Sequence, residues 1–265
     1  MKFVDAHIHL SDPEYLPVID KIIEDAKRCE VVALVSNSMD LETSMRSLEL
    51  AKQHAGLVFA ALGIHPWNVQ KISEKELNST IEFIKNLNDE FRKSFVAIGE
   101  VGLDAMYTMK KELRNFQRKV FHEMLKLAEE LSLPVIIHSR GTSVEIAEIL
   151  TSYNLKNVLF HWFSTPRELL PKLVERGYYI TEGPPVLYSK RIRENVKAVP
   201  LENLLTETDG PVRYWGPFKG KTTTPAFIPM IVEEIAKLKG LNLAETALQI
   251  YNNFINFKVG TFFRG

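Results

Sequence analysis

His7, His9, His65, Glu100, His138, His161 and Asp209 share one property: each closes, or directly follows, a short run rich in Val, Ile, Leu, Phe, Ala or Thr. Imidazole and carboxylate are the donors of borderline divalent ions, so together these residues describe a metal centre. His7 and His9 stand two apart, and in a strand residues i and i+2 face the same way, so both rings leave the sheet together. A His-x-His pair is common by chance, and any one of these histidines alone reads more simply as a satisfied buried side chain. Five of the chain's seven histidines at equivalent positions, joined by two carboxylates, point instead to a shared site. His54 and His122 fall in helical stretches and read as solvated surface. One catalytic ion takes about four to six donors and keeps positions open for water and substrate. The larger set here suits two ions bridged by a carboxylate. The metal stays open among Zn, Mn, Mg, Co, Ni and Fe(II).

Positioning these side chains calls for eight strands. Apolar, β-rich runs cover 3–9, 31–37, 58–64, 95–100, 134–138, 157–161, 178–182 and 203–208. Amphipathic stretches of helical period alternate with them at 16–28, 41–54, 74–92, 110–131, 143–153 and 167–176, with further helices at 226–239 and 243–253. The strands are nearly continuous in apolar residues, as expected when both sheet faces are covered. Eight such units predict an α/β fold, a (β/α)8 TIM barrel forming a single domain over 1–265 with a C-terminal closing helix. In that fold the functional residues gather at the C-terminal strand ends, where all seven lie. An open doubly wound sheet is the runner-up, but it lacks support from a Gly-rich first turn. The loops at 183–189 and 210–224 are rich in Gly, Pro and Thr and are candidates to face substrate.

Composition narrows the function classes. Lys+Arg and Asp+Glu both number 33, giving a formal net charge of zero over 265 residues. Such a chain does not coat nucleic acid or an anionic membrane by overall charge, although a metal and a few cations can still bind phosphate locally. Cys29 is the only cysteine, which excludes an intramolecular disulfide and thiolate clusters. No signal-like segment opens the chain and no stretch reaches 18 apolar residues, so a soluble, cytoplasmic protein with no membrane partner is expected.

With these residues in place the chain resembles the TatD-type metal-dependent deoxyribonucleases, a branch of the amidohydrolase superfamily. The resemblance rests on Asp5-Ala6-His7-Ile8-His9-Leu10, Gly63-Ile64-His65-Pro66, Ile98-Gly99-Glu100-Val101-Gly102-Leu103-Asp104, Gln117-Arg118-Lys119-Val120-Phe121, the run from Leu133 to Arg140, His161-Trp162-Phe163-Ser164 and Glu207-Thr208-Asp209-Gly210-Pro211. It implies a two-metal barrel hydrolase cleaving phosphodiester bonds in DNA, on single strands or from 3' ends. It further implies that His7, His9 and Asp209 hold one ion, that His138 and His161 hold the second, and that Glu100 bridges them. A glutamate bridge, rather than a carboxylated lysine, favours phosphodiesters over amides. Departures from the family pattern fall in the loops: Thr165-Pro166 after Ser164, Val212-Arg213-Tyr214 after Pro211, Thr222-Thr223-Thr224-Pro225 before the next helix, and Ala105-Met106 after Asp104. They leave the loops at 164–166 and 210–225 without an assigned role.

Further roles follow from position. Asp209 is the candidate to accept a proton from the attacking water, or it is a ligand only. His65 exceeds the ligand count and reads as a phosphate contact or proton donor, or as a packing residue before Pro66. Glu207, two residues before Asp209, is expected to orient a ligand histidine or to sit in a buried ion pair. Arg140 binds phosphate or pairs with a rim carboxylate. Asp5 shares the inward face of His7, and Asp104 is read as a structural residue of its loop. Lys219 and Lys221, with Arg213, Tyr214, Trp215 and Phe218, mix cations and aromatics in a way that stacks bases or simply covers a barrel top. A small amide, lactone or phosphoester substrate is the competing enzyme reading, since one metal barrel supports many chemistries. A catalytically silent interaction module is the third.

Overall fold

The computed structural model describes residues 1–107, 110–164 and 166–259. Eight strands form one sheet in sequence order: β1 Phe3–Ile8, β2 Val31–Asn37, β3 Val58–Leu62, β4 Phe95–Gly102, β5 Val135–His138, β6 Val158–Phe160, β7 Tyr179–Glu182 and β8 Leu204–Thr206. Each neighbouring pair from β1 to β8 is parallel. The sheet closes where β8 runs out against β1. Asp209 N donates to His7 O at 2.9 Å and His9 N donates to Gly210 O at 2.8 Å. Further back, the Thr206 hydroxyl donates to Val4 O at 2.6 Å. The predicted barrel is therefore the observed fold, and every residue of β1, β3, β4, β5, β6 and β8 is buried.

Helices form the outer layer: α1 Ile19–Arg28, α2 Leu41–Gln53, α3 Glu74–Lys85, α4 Asp89–Arg92, α5 Lys111–Leu131, α6 Ser143–Ile149, α7 Leu170–Glu175, α8 Lys190–Ala198, α9 Ile228–Lys239 and α10 Leu243–Val259. Two of them start on reciprocal caps, Asp40 with Thr43 on α2 and Ser73 with Glu76 on α3. Each amphipathic helix lays a stripe such as Val120, Phe121, Met124, Leu125 and Ala128 of α5 onto the barrel wall. Full burial of each large apolar side chain in that layer contributes about 1.5–3 kcal/mol. The stretch expected as one helix over 74–92 is broken, because Asn86 ends α3 and Asn88 caps α4 by accepting from Phe91 N at 3.1 Å. A helix not assigned from the sequence, α8, fills the crossover from β7 to β8.

The closing helix seals the N-terminal end of the barrel. Asn253 of α10 donates to Leu201 O and Leu204 O, both at 2.7 Å, tying α10 to the entry of β8. Among the described residues no helix is long and apolar enough to cross a membrane. At the opposite end, the C-terminal parts of β1, β4 and β5 and the residues just after β1, β3, β6 and β8 bring the titratable residues together.

Candidate metal centre

Glu100 stands at the middle of the cluster and offers one carboxylate oxygen to each of two donor groups. Oε2 lies 3.3 Å from His7 Nε2 and 3.3 Å from His9 Nε2. Asp209 Oδ1 is 3.4 Å from each of the same two nitrogens, and the nitrogens are 3.4 Å apart. These spacings are long for hydrogen bonds yet nearly equal. Two donors bonded at about 2.0–2.1 Å to one tetrahedral ion lie about 3.3–3.4 Å apart, which these five spacings match. Glu100 Oε2 is buried without a hydrogen-bond partner, which inside a protein is costly unless a cation answers it.

The second group converges on Oε1 of Glu100. His138 Nδ1 is 2.7 Å away, His161 Nε2 2.8 Å and His65 Nε2 3.1 Å. His161 Nε2 and His138 Nδ1 are 3.4 Å apart, and the His161 ring stacks on His7 at 4.0 Å between centroids. The donor chemistry of His138, His161 and the carboxylate oxygen again suits a borderline divalent ion.

The far side of each ring shows how it is wired. His9 Nδ1 lies 3.0 Å from Asn37 O, which fixes its hydrogen there and leaves the Nε2 lone pair facing the donor group. His138 Nε2 lies 2.8 Å from Asp104 Oδ2, so that with the hydrogen held there Nδ1 would be available to an ion beside Glu100. Asp104 is itself held by Trp67 Nε1 at 2.7 Å and by the backbone N–H groups of Met106 and Tyr107 at 2.7 and 2.9 Å. His161 Nδ1 sits 3.6 Å from Glu207 Oε2, an ion-pair distance. Glu207 accepts from Thr181 Oγ1 at 2.5 Å and Trp162 N at 2.9 Å. His65 is the exception. Trp67 N donates to its Nδ1 at 3.1 Å, so in the neutral ring Nε2 carries the hydrogen. His65 therefore presents a donor to the centre, where a bound ion would need lone pairs from the other rings.

Electrostatics follow from burial and this convergence. Burial raises the Glu100 carboxyl, but His65, His161, His7 and His138 more than reverse that and hold it well below the usual range. Burial likewise raises Asp209, and its bonds to His7 and His9 bring it down below an ordinary aspartate. Burial lowers His9, yet Asp209 and Glu100 lift it to about 10. His65 falls to about 4, because burial outweighs the attraction of Glu100. Asp5 is pushed up to about 8 by burial and contacts no ligand ring; its carboxyl takes Thr208 N at 3.0 Å and Thr208 Oγ1 at 2.5 Å, bracing β8 against β1.

The backbone is adapted to the site. Asp209 and Trp162 both adopt left-handed conformations, with φ of +48° and +37°, which cost energy in non-glycine residues and cluster at functional sites. Gly102 has φ +154°, and a Cβ there would lie 1.9 Å from His138 O, so only glycine lets β4 pass this close to β5.

Arg140 is exposed at the edge of the centre, and among the described residues it forms no ion pair, so the carboxylate partner considered from the sequence is absent there. His54 and His122 lie away from the centre; His122 bonds the Tyr153 hydroxyl at 2.7 Å. Sequence reasoning missed Asp104 as the partner of His138 and Asn37 as the partner of His9. Their contacts cross between strands that the linear sequence does not align. Of the variant loops, Thr165 lies outside the described residues.

Comparisons with known proteins agree with this architecture. The family model described as "TatD related DNase" matches residues 4–257. A Methanocaldococcus jannaschii protein named as an uncharacterized metal-dependent hydrolase, MJ1582, is 34% identical over 257 residues, covering 97% of each chain. The human deoxyribonuclease TATDN3 is 31% identical over 250 residues, covering 91% of this chain and 89% of its own. The crystal structure of YjjV, a TatD homologue from Escherichia coli, superposes with a TM-score of 0.87 at 27% identity, covering 97% of this chain and 98% of its own. The chain belongs to the TatD-related family of metal-dependent hydrolases.

Proposed function

We propose that this enzyme hydrolyses phosphodiester bonds in DNA with two divalent ions, acting on single strands or 3' ends, with the whole chain as one catalytic domain. One observation carries the two-ion reading: the two oxygens of Glu100 face two separate donor groups, Oε2 toward His7 and His9, whose Nε2 atoms Asp209 Oδ1 also meets, and Oε1 toward His138 and His161. The family resemblance and the deoxyribonuclease relative support DNA as the substrate. When bound, two ions lower the pKa of water and neutralise charge on the phosphate.

The protein's own groups supply the rest. His7, His9 and Asp209 would hold one ion and His138 and His161 the other, with Glu100 between the two groups. Asp209, kept ionised at neutral pH, accepts the proton of the attacking water. His65 donates its Nε2 hydrogen to a phosphoryl or leaving oxygen, in keeping with the Trp67 N contact that fixes this tautomer. Arg140, exposed and unpaired among the described residues, binds a phosphate oxygen at the entrance. Asp104 and Glu207 orient His138 and His161.

The test combines elemental analysis of protein purified without chelator with turnover on single-stranded DNA, an aryl phosphodiester and a lactone panel, each with Mn, Mg, Zn, Co or Ni. Two ions per chain and metal-dependent phosphodiester cleavage are expected. A single ion per chain would end the bridging role, and lactone turnover without any phosphodiester turnover would reassign the substrate.

A further inference from the structure

Among the described residues three aromatic side chains are strongly exposed, Tyr107 at 45%, Tyr188 at 37% and Trp215 at 67%. All three sit on loops at the metal end of the barrel, after β4, β7 and β8. Exposed aromatics gathered at one mouth are unusual, since a large apolar ring in water is normally covered. Trp215 is the most exposed of them, and its surroundings hold it there.

The segment around Trp215 separates into anchors and a presented ring. Tyr214 is buried, its hydroxyl donates to Thr208 O at 2.9 Å, and its ring lies 5.6 Å from that of Trp162, the residue after His161. Phe218 is buried against Phe227 at 4.5 Å. Gly216, with φ +61°, lies flat against Tyr188, where a Cβ would meet the ring at 2.8 Å. Between these anchors Trp215 N lies 3.5 Å from the Tyr188 hydroxyl, while its indole faces outward. Lys219 Nζ is 5.9 Å from the indole, and neither Lys219 nor Lys221 forms an ion pair among the described residues. A rigid aromatic platform connected through Tyr214 to the metal centre, with uncommitted cations beside it, matches the two needs of a single strand: a π-face for a base and positive charge for its backbone.

We propose that Trp215, supported by Tyr188, stacks an unpaired nucleobase flanking the phosphate at the metal centre, so that the enzyme selects strands whose bases are free. The proposal rests on the phosphodiesterase reading and adds a base-recognition subsite to it. A paired base has no free face to offer, and duplex substrates must fray to bind.

Binding is read by fluorescence anisotropy with a labelled phosphorothioate oligothymidylate and an abasic strand of the same length and charge. Trp215→Ala is expected to weaken the oligothymidylate about tenfold and the abasic strand not at all, with Trp215→Phe restoring most of the loss. Steady-state turnover on cleavable single strands should show the same loss in KM with kcat little changed. Equal weakening of both strands, or no weakening of either, overturns the stacking role. Absence of turnover on DNA and on an aryl phosphodiester sinks the phosphodiesterase reading instead, and the affinity comparison between the two strands stands apart from that result.

Discussion

The β3 and β5 corners of the barrel both deliver a histidine to Glu100 Oε1, yet the two rings are set in opposite senses. With an ion bound, His138 would keep its far hydrogen on Asp104 and turn a lone pair inward, while His65 receives a hydrogen from Trp67 N and turns its own N–H inward. On the proposed reading, two identical side chains at similar distances from one oxygen are sorted into ligand and donor by a single contact on the far side. Residue type alone does not decide the role; the group behind the ring does. Trp67 links the corners, donating its indole N–H to Asp104 and its backbone N–H to His65.

The largest test removes each ring. His138→Ala should take metal content from two ions per chain to one and lower turnover by three orders of magnitude or so, consistent with loss of a metal that supplies several kcal/mol. His65→Ala should keep both ions and lower kcat by about a hundredfold, the scale of a lost proton donor. Loss of an ion in the His65 variant, read by elemental analysis, would erase the distinction between the corners.

A smaller effect sharpens it. Asp104→Ala leaves His138 in place but frees its tautomer, and affinity for one of the two ions should fall about 10- to 100-fold by competition with a chelating dye. An unchanged affinity would show that Asp104 only shapes its loop. Arg140→Ala, two residues past His138 on the β5 loop, should raise KM for DNA about tenfold with both ions retained; an unchanged KM would remove Arg140 from the entrance.

Proton competition gives the smallest contrast. In the metal-free protein His9 is raised to about 10 and His65 is lowered to about 4. A raised value means that His9 holds its proton below pH 10, so an ion entering that group must displace it. Affinity there should climb about tenfold per pH unit across neutral pH, whereas His65, already neutral, adds nothing to the slope. The same raised value means His9 stabilises the metal-free fold fully below about 6.5 and loses that contribution as pH rises through about 10. A flat metal-binding titration between about pH 6 and 8 would contradict this assignment.

The donors were legible in the sequence because each follows a short apolar run, and a parallel barrel sends all such ends to one face. The wiring was not. Asp104 meets His138 across 34 positions, and which nitrogen of His65 carries hydrogen depends on a backbone group that no side-chain pattern reveals. The break after α3 was masked because Ile84, Leu87 and Phe91 continue the apolar stripe, although Asn88 is a capping signal. Helix α8 was faint because it buries only Ile192, Asn195 and Val196. The rim loop at 210–224 carries cations and aromatics in its sequence, but only the fold separates buried Tyr214 and Phe218 from exposed Trp215.

The seam between the last strand and the first carries a consequence for biosynthesis. Thr208 reaches Asp5 across 203 positions, and Asp209 N meets His7 O beside it. A growing chain that has released its first seven strands carries five of the six proposed ligands but not the Asp209 carboxylate. The amino-terminal histidines must wait, paying a long loop closure, until the final strand docks. The cluster is therefore assembled by the longest-range pairing in the barrel, the docking of β8 on β1.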